Sequence, residues 1–168
     1  MFKVLVPVDD SGNSRYAVRH VINHYIKDGT IEVHLLNVQP AFSAHIARFV
    51  SREDRAAFHR DEANKVLQPV KKLLNQHGVP FSVHIELGDK AIVITKVARR
   101  LSCDQIVMAT ARKNSLTRMV EDSTTNKVLE LTTVPVEVIA GDAVSKLERY
   151  GIPAAIGTAL ALLYAAAE

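Results

Sequence analysis

The stretch that decides the fold is Gln105-Ile106-Val107-Met108-Ala109-Thr110-Ala111-Arg112-Lys113-Asn114-Ser115-Leu116-Thr117-Arg118-Met119-Val120-Glu121-Asp122-Ser123. A short apolar run precedes a polar loop, and a helix is predicted to begin near Ser123. A strand, a loop and a helix N-terminus in this order form the phosphate-binding element of many α/β proteins. Such loops usually need glycine, which takes positive φ freely and lets the backbone approach phosphate. Ala109, Arg112 and Asp122 stand in this loop instead.

Five apolar runs predict five strands. The first, fourth and fifth are almost continuously apolar, which is typical of strands buried on both faces of a parallel sheet. The second and third alternate with polar residues, which predicts positions nearer an edge of the sheet. The runs are Phe2–Val8, Ile31–Val38, Phe81–Leu87, Gln105–Thr110 and Val134–Ala140.

Helical patterns lie between these runs. An apolar stripe over residues 17–26 ends at Gly29. A longer helix over residues 51–77 begins with a capping-box pattern at Ser51, and Pro69 is predicted to kink or interrupt it after Gln68. Asp89 can cap a third helix, and a fourth runs over about 123–131. Strands alternating with helices predict a doubly wound parallel α/β sheet with helices on both faces. The core face of the long helix is predicted to be Phe58, Val66, Leu67, Val70, Leu73 and Leu74.

Composition argues against several classes of protein. The chain has 168 residues and a net charge of +3, with no basic block of the kind that nucleic-acid binding would need. Its single cysteine, Cys103, excludes an internal disulfide and a cysteine-based zinc site, and we expect it to be structural. The N-terminus resembles a strand rather than a signal peptide, so the cytoplasm is the expected compartment.

Few residues suggest catalysis or metal binding. His20 and His24 lie on one helix face, but no Glu completes a zinc motif, and we expect a surface pair. His34 and His84 are predicted neighbours across the sheet. No Gly-x-Ser-x-Gly elbow occurs in the sequence. The sequence therefore predicts neither an enzyme nor a metal site.

Two acidic residues, Asp9 and Asp10, follow the first strand directly. Carboxylates at this end of a strand can bind ribose hydroxyls or a metal. Alternatively, one of them, or Ser11, caps the first helix. Both roles can coexist at adjacent residues.

An ordered set of short motifs resembles the universal stress protein family, of its small single-domain type. The motifs are Leu5-Val6-Pro7-Val8-Asp9-Asp10-Ser11, Leu35–Pro40, Gly88-Asp89, Asp104–Met108, and Lys127–Leu129 followed by Val134-Pro135-Val136. The resemblance covers about residues 1–141. It implies a five-stranded sheet of order 3-2-1-4-5 and a homodimer formed through strand 134–139.

The resemblance also bears on nucleotide binding. Nucleotide-binding members carry Gly-x2-Gly-x9-Gly-(Ser/Thr), whose positions fall on Ala109, Arg112, Asp122 and Ser123. The spacing and the hydroxyl remain, whereas all three glycines are replaced. A carboxylate near a triphosphate repels it. Each pair of unit negative charges ~4 Å apart raises the free energy by about 4 kcal/mol at an effective dielectric of about 20. Arg112, Lys113 and Arg118 would offset part of this, unless they form a solvated surface loop.

Asp9 and Val38 match positions that contact adenosine in nucleotide-binding members. We therefore expect a vestigial nucleotide site in a non-catalytic stress-response protein, without a cofactor, that binds partners or weakly binds small ligands. The alternative is a switch that binds ATP or AMP with Mg and hydrolyses ATP slowly at most.

The last 27 residues, 142–168, form an extension beyond the family pattern. Residues 150–167 carry no charge and predict a helix from Pro153. Such a helix would be ~22 Å long, short of a ~30 Å hydrocarbon core, so we do not expect a membrane span. We expect it to pack on a neighbouring subunit or on its own domain.

Overall fold

Strands and helices alternate along the protein, as expected. The computed structural model describes residues 1–43, 45, 48–112 and 124–143. Within them the elements are β1 (Phe2–Pro7), α1 (Ser14–Asp28), β2 (Ile31–Gln39), α2 (Arg52–Gln76), β3 (Phe81–Leu87), α3 (Lys90–Arg100), β4 (Gln105–Arg112), α4 (Thr124–Leu131) and β5 (Val136–Ala143). Residues 1–110, as far as they are described, and residues 124–141 belong to one compact unit.

The five strands form one sheet of order β3-β2-β1-β4-β5, which confirms the predicted order. The registered pairs of β1 with β2 and β4, and of β2 with β3, are parallel. Phe2 pairs with Ile31, and Val33 pairs with Phe81. Because parallel strands end at the same edge, the residues that follow β1 and β2 lie close together.

Alternation along the strands divides the core into two layers. Val4, Val6 and Val8 pack on one side with buried residues of α1 and α2. Leu5 faces the other side and packs with buried residues of α3 and α4. Both faces of β1 are therefore buried under helices, which explains the continuous apolar run of this strand.

Three helix boundaries follow the predicted local chemistry. Gly29 ends α1 with φ 65°, and its N–H donates to the Tyr25 carbonyl. The Ser51 hydroxyl accepts a hydrogen bond from the Asp54 N–H at 3.0 Å and so caps α2. The Asp89 carboxylate accepts from the Ile92 N–H at 3.1 Å and caps α3.

Helix α2 continues through Pro69 as one element, so the predicted interruption after Gln68 is wrong. Proline has no N–H to donate to the Lys65 carbonyl. Pro69 and Lys65 both lie on the exposed side of the helix, where water can bind this carbonyl instead. Leu67, Val70 and Leu74 are buried on the opposite side. Their burial outweighs the loss of one intrahelical hydrogen bond.

β3 is an edge strand and β2 lies directly beside it, so the prediction that both lie nearer an edge of the sheet is confirmed. The polar side chains of His34, Asn37 and Gln39 on β2 are nevertheless buried instead of facing water. His34, which is 5% exposed, lies with its Nδ1 3.2 Å from the Nε2 of His84, so the predicted neighbours across the sheet are confirmed. Burial is the main cause that lowers the pKa of each imidazole, and His34 lowers the pKa of His84 further. The pair is therefore held neutral near pH 7.

The ends of the last two strands differ from the prediction. β4 extends to Arg112, and β5 runs over Val136–Ala143, two residues later than expected at its start. The Pro135 carbonyl accepts from the Ile106 N–H at 2.9 Å. Proline lacks a donor, and β5 is an edge strand of the sheet as predicted.

No helix in the described part of the chain is long and apolar enough to cross a membrane. The predicted extension, apart from the two residues that end β5, lies outside the described residues. Cys103 is buried in the core layer under α3, and burial raises the pKa of its thiol to about 11. Its predicted structural role is confirmed.

Candidate functional site

A pocket of about 450 Å³ lies at the carboxyl ends of β1 and β2. It brings together Asp9 and Val38, two of the predicted site residues. Polar and aromatic side chains from the end of β2, the following loop and α2 complete its wall. The lining residues are Asp9, Asp10, Asn37, Val38, Gln39, Pro40, Ala41, Phe42, Ser43, Phe58, His59, Glu62, Val66 and Lys90.

Asp9 organises the turn between β1 and α1. Its Oδ1 accepts hydrogen bonds from the hydroxyls of Ser11 at 2.6 Å and Ser14 at 3.0 Å. The Ser14 hydroxyl in turn accepts from the Asp9 N–H at 3.0 Å. The residue before α1 is Asn13, whose side chain makes no capping hydrogen bond. The expectation that Asp9, Asp10 or Ser11 caps α1 is therefore wrong, because Asp9 binds the serine hydroxyls instead.

A buried polar network joins the end of β2 to α2. The Asn37 amide donates to the Val8 carbonyl at 2.9 Å. The Gln39 amide donates to Asn37 Oδ1 at 3.0 Å and to the His59 carbonyl at 2.9 Å. Gln39 Oε1 lies 2.7 Å from His59 Nδ1. Each contact fixes the orientation of the next amide, because a carbonyl oxygen can only accept.

This network also fixes the proton position on the His59 ring. Gln39 Oε1 is an acceptor, so His59 Nδ1 must carry the hydrogen. In the neutral ring, Nε2 is then a bare acceptor. Nε2 is buried and has no hydrogen-bond partner among the described residues. The side chain as a whole is 7% exposed.

Three rings form an aromatic wall of the pocket, namely Phe42, Phe58 and His59. The ring centroids are 5.5 Å apart for the two phenylalanines, and Phe42 lies 4.8 Å from His59. Phe58 lies 5.8 Å from His59 and is 51% exposed, so the prediction that it belongs to the core face of α2 is wrong. Its position around the helix axis places its ring at the pocket, outside the buried core.

The charges of the pocket are mainly negative. Asp9, Asp10 and Glu62 face one ammonium, that of Lys90. Glu62 also pairs with Lys65 on its own helix at 2.5 Å. None of the four ion pairs of the described residues includes Asp9 or Asp10. A second pocket of about 400 Å³ adjoins the first and shares both aspartates with it.

Among the predicted phosphate-binding positions, Ala109 is fully described, and it does not line the pocket that Asp9 and Val38 share. Ala109 lies within β4, is partly buried, and packs against the core layer of α1 and α2. The backbone of Arg112 belongs to the same strand. Asp122 and Ser123 lie outside the described residues. Ser102 is the one non-glycine residue of the described chain with positive φ, so Ala109 and Arg112 do not adopt it.

Sequence reasoning missed four polar residues of the pocket wall, namely Asn37, His59, Glu62 and Lys90. A signal existed in β2, because Asn37 and Gln39 have the same strand phase as the buried Val33 and Leu35. Polar residues on a buried face need partners. The partner, His59, is 20 residues away on another element, and the local pattern gave no indication of it.

A separate histidine group lies at the opposite end of the sheet. His20 Nε2 is 2.9 Å from Glu137 Oε1, and the rings of His20 and His24 are 4.9 Å apart. Gln105 donates to Glu137 Oε2 at 3.1 Å. Across the described residues, no group of three or more His, Cys, Asp or Glu is placed to hold a metal ion.

Comparisons with known proteins agree on one family. The sequence model of the Universal stress protein family matches residues 1–140. Universal stress protein MJ0531 of Methanocaldococcus jannaschii is 27% identical over 143 residues, which are 82% of this chain and 81% of that protein. The solved structure of hypothetical protein MJ0577 is similar at a TM-score of 0.69 and 25% identity, covering 85% of this chain and 98% of that chain. A universal stress protein family protein from Arabidopsis thaliana, solved with AMP bound, is similar at a TM-score of 0.61 and 18% identity, covering 85% and 94%.

Proposed function

Because the chain belongs to the universal stress protein family, we propose that it is a non-catalytic stress-response protein that binds partners or small ligands. Its ligand site is the pocket at the ends of β1 and β2, where Asp9 and Val38 lie. The phosphate-binding part of the nucleotide site is vestigial. The protein works in the cytoplasm.

The course of β4 carries this proposal. The strand continues to Arg112, so two motif positions, Ala109 and Arg112, have strand backbone rather than a loop with positive φ. A phosphate loop needs closely approaching backbone N–H groups, which glycine permits and a regular strand does not offer. The third position, Asp122, adds a negative charge where a triphosphate would need positive partners.

The alternative function is an ATP- or AMP-binding switch with slow hydrolysis at most. The bound AMP of the Arabidopsis thaliana protein favours it, as does the presence of Asp9 and Val38 in one pocket here. For this alternative, Arg112 and Lys113 would have to replace the backbone contacts that glycine gives elsewhere. Magnesium would accompany the triphosphate.

Calorimetric titration of the purified protein with Mg-ATP and with adenosine tests the proposal. We expect Mg-ATP to bind no more tightly than adenosine. Micromolar affinity for Mg-ATP, or ATP that co-purifies with the protein, would contradict the vestigial site. Asp122→Gly separates the two functions, since the vestigial site predicts a large gain in ATP affinity and the switch predicts little change.

The proposal includes a homodimer formed through the strand over residues 134–139, with residues 142–168 as a separate extension that can add to the interface. β5 is an edge strand, and Val138 on it is 40% exposed. An apolar side chain on an unpaired edge favours pairing with a second chain.

A further inference from the structure

We propose that the pocket at the ends of β1 and β2 binds an organic cation that carries N–H donors, such as a primary ammonium or a guanidinium group. This inference rests on the proposed ligand-binding function and adds the chemical class of the ligand. Three independent features of the pocket wall support it, and they are its charge, its aromatic rings and an unpaired acceptor.

The first feature is the charge of the wall. Asp9 and Asp10 are exposed and belong to none of the ion pairs of the described residues. Glu62 lies on α2 three residues after His59, lines the same pocket and has Lys65 as a partner. Among the described residues that line this pocket, three carboxylates stand against the single ammonium of Lys90, which is a net charge of −2, and Arg15 and Lys65 line the adjoining pocket. A cationic ligand reduces this imbalance, whereas an anionic ligand increases it.

The second feature is the aromatic wall formed by Phe42, Phe58 and His59, whose centroids lie within 5.8 Å of one another. The faces of aromatic rings attract cations through their quadrupole. Aromatic rings and carboxylates in the wall of one pocket are complementary to an alkyl chain that ends in a cationic group.

The third feature is the Nε2 atom of His59. The network through Gln39 places the ring hydrogen on Nδ1, so Nε2 can only accept. A buried acceptor without a partner is unfavourable, and a donor from a ligand removes this penalty. Phe58 and His59 both line the pocket, and their ring centroids are 5.8 Å apart. A quaternary ammonium has charge but no N–H, and it leaves the acceptor unpaired.

Three probes with the same four-carbon chain separate these features, namely butylammonium, butyltrimethylammonium and 1-butanol. Each is titrated into the isotope-labelled, full-length protein, and NMR shift changes of the pocket residues give the dissociation constants. We expect butylammonium to bind most tightly, butyltrimethylammonium second and 1-butanol most weakly. Equal binding of all three, or no binding of butylammonium, would overturn the inference.

Matched variants locate the interaction. Glu62→Gln should weaken butylammonium about fivefold, whereas Glu53→Gln, an exposed glutamate on the same helix outside the pocket, should change nothing. Equal effects of the two variants would show a general charge effect and overturn the site. His59→Phe should weaken butylammonium and leave butyltrimethylammonium unchanged. If His59→Phe does not fold, Glu62→Gln and its control still decide the outcome.

Adenosine and Mg-ATP, titrated into the same sample, keep this inference distinct from the proposed function. Adenosine binding without butylammonium binding overturns the cation site and leaves the proposed function standing. Micromolar Mg-ATP binding together with the expected order of the three probes overturns the vestigial site and supports the cation site.

Discussion

Gln39 and His59 hold each other through two hydrogen bonds, one to the ring and one to the backbone. Gln39 Oε1 accepts from His59 Nδ1 at 2.7 Å, and the Gln39 amide donates to the His59 carbonyl at 2.9 Å. The two contacts tie the end of β2 to the third turn of α2. They set both the position of the pocket wall and the proton position on the histidine.

Replacing Gln39 should therefore destabilise the fold. Gln39→Met has a similar volume and leaves the His59 Nδ1–H and Asn37 Oδ1 unpaired in a buried region. We expect the free energy of unfolding to fall by about 2–4 kcal/mol. Urea denaturation measures it. Gln76→Met, at an exposed position that ends α2, is the control and should change stability by less than about 0.5 kcal/mol. Equal losses would show that the network does not stabilise the fold.

The buried histidine pair should make stability depend on pH. In the folded protein the pKa values of His34 and His84 lie below the ordinary 6.5, so the unfolded chain binds more protons as the solution is acidified. The contribution of the pair is complete above pH 6.5 and is lost as pH falls from 6.5 through the folded pKa values. For each additional proton that the unfolded chain binds, the free energy of unfolding changes by at most about 1.4 kcal/mol per pH unit.

Urea denaturation between pH 7.5 and pH 5 tests this dependence. The double variant with His34→Gln and His84→Gln should have a shallower slope than the unaltered protein below pH 6.5. His77→Gln, an exposed histidine at the end of α2, should keep the original slope. An unchanged slope in the double variant would contradict the role of the pair.

The sheet could be predicted from the sequence because its evidence is local. Continuous apolar runs gave the strands, and Gly29, Ser51 and Asp89 gave three helix ends, each through the chemistry of one residue and its next turn. The predicted interruption at Pro69 was wrong, because the effect of a proline depends on which side of the helix faces water. The alternation in β2 correctly indicated a place near an edge, but it did not show that His34 and Gln39 are buried, because their partners lie on other elements.

The pocket was predictable in part for the same reason. Asp9 follows from its place at the end of a strand, where ligands bind in open parallel sheets, whereas Val38 was predicted through the resemblance to the family. Helix α2 contributes His59, Phe58 and Glu62 to the pocket. These residues are distant from the strand ends in the sequence and come close to them only in the folded protein. Sequence spacing does not show which turn of α2 lies opposite β2, so these residues needed the structure.

The thiol of Cys103 should be unreactive in the folded protein. Burial raises its pKa to about 11, so only about one thiol in a thousand is ionised at pH 8. We expect a thiol reagent such as Ellman's reagent to react about 100-fold more slowly with the native protein than with the protein in urea. Absorbance after mixing measures the rate. Similar rates in the two conditions would show that the core layer under α3 opens readily.

The edge strand β5 should control the oligomeric state. Val138 on this strand is 40% exposed, and a lysine there would place charge at the proposed contact between two chains. We expect Val138→Lys to convert the proposed dimer to a monomer, measured as mass in solution by light scattering. Leu87→Lys is the control, since Leu87 is 48% exposed at the end of the opposite edge strand and should leave the mass unchanged. Deleting residues 145–168 tests the extension separately, because an unchanged mass removes it from the interface. If Val138→Lys stays dimeric while the deletion gives a monomer, the extension and not β5 joins the two chains.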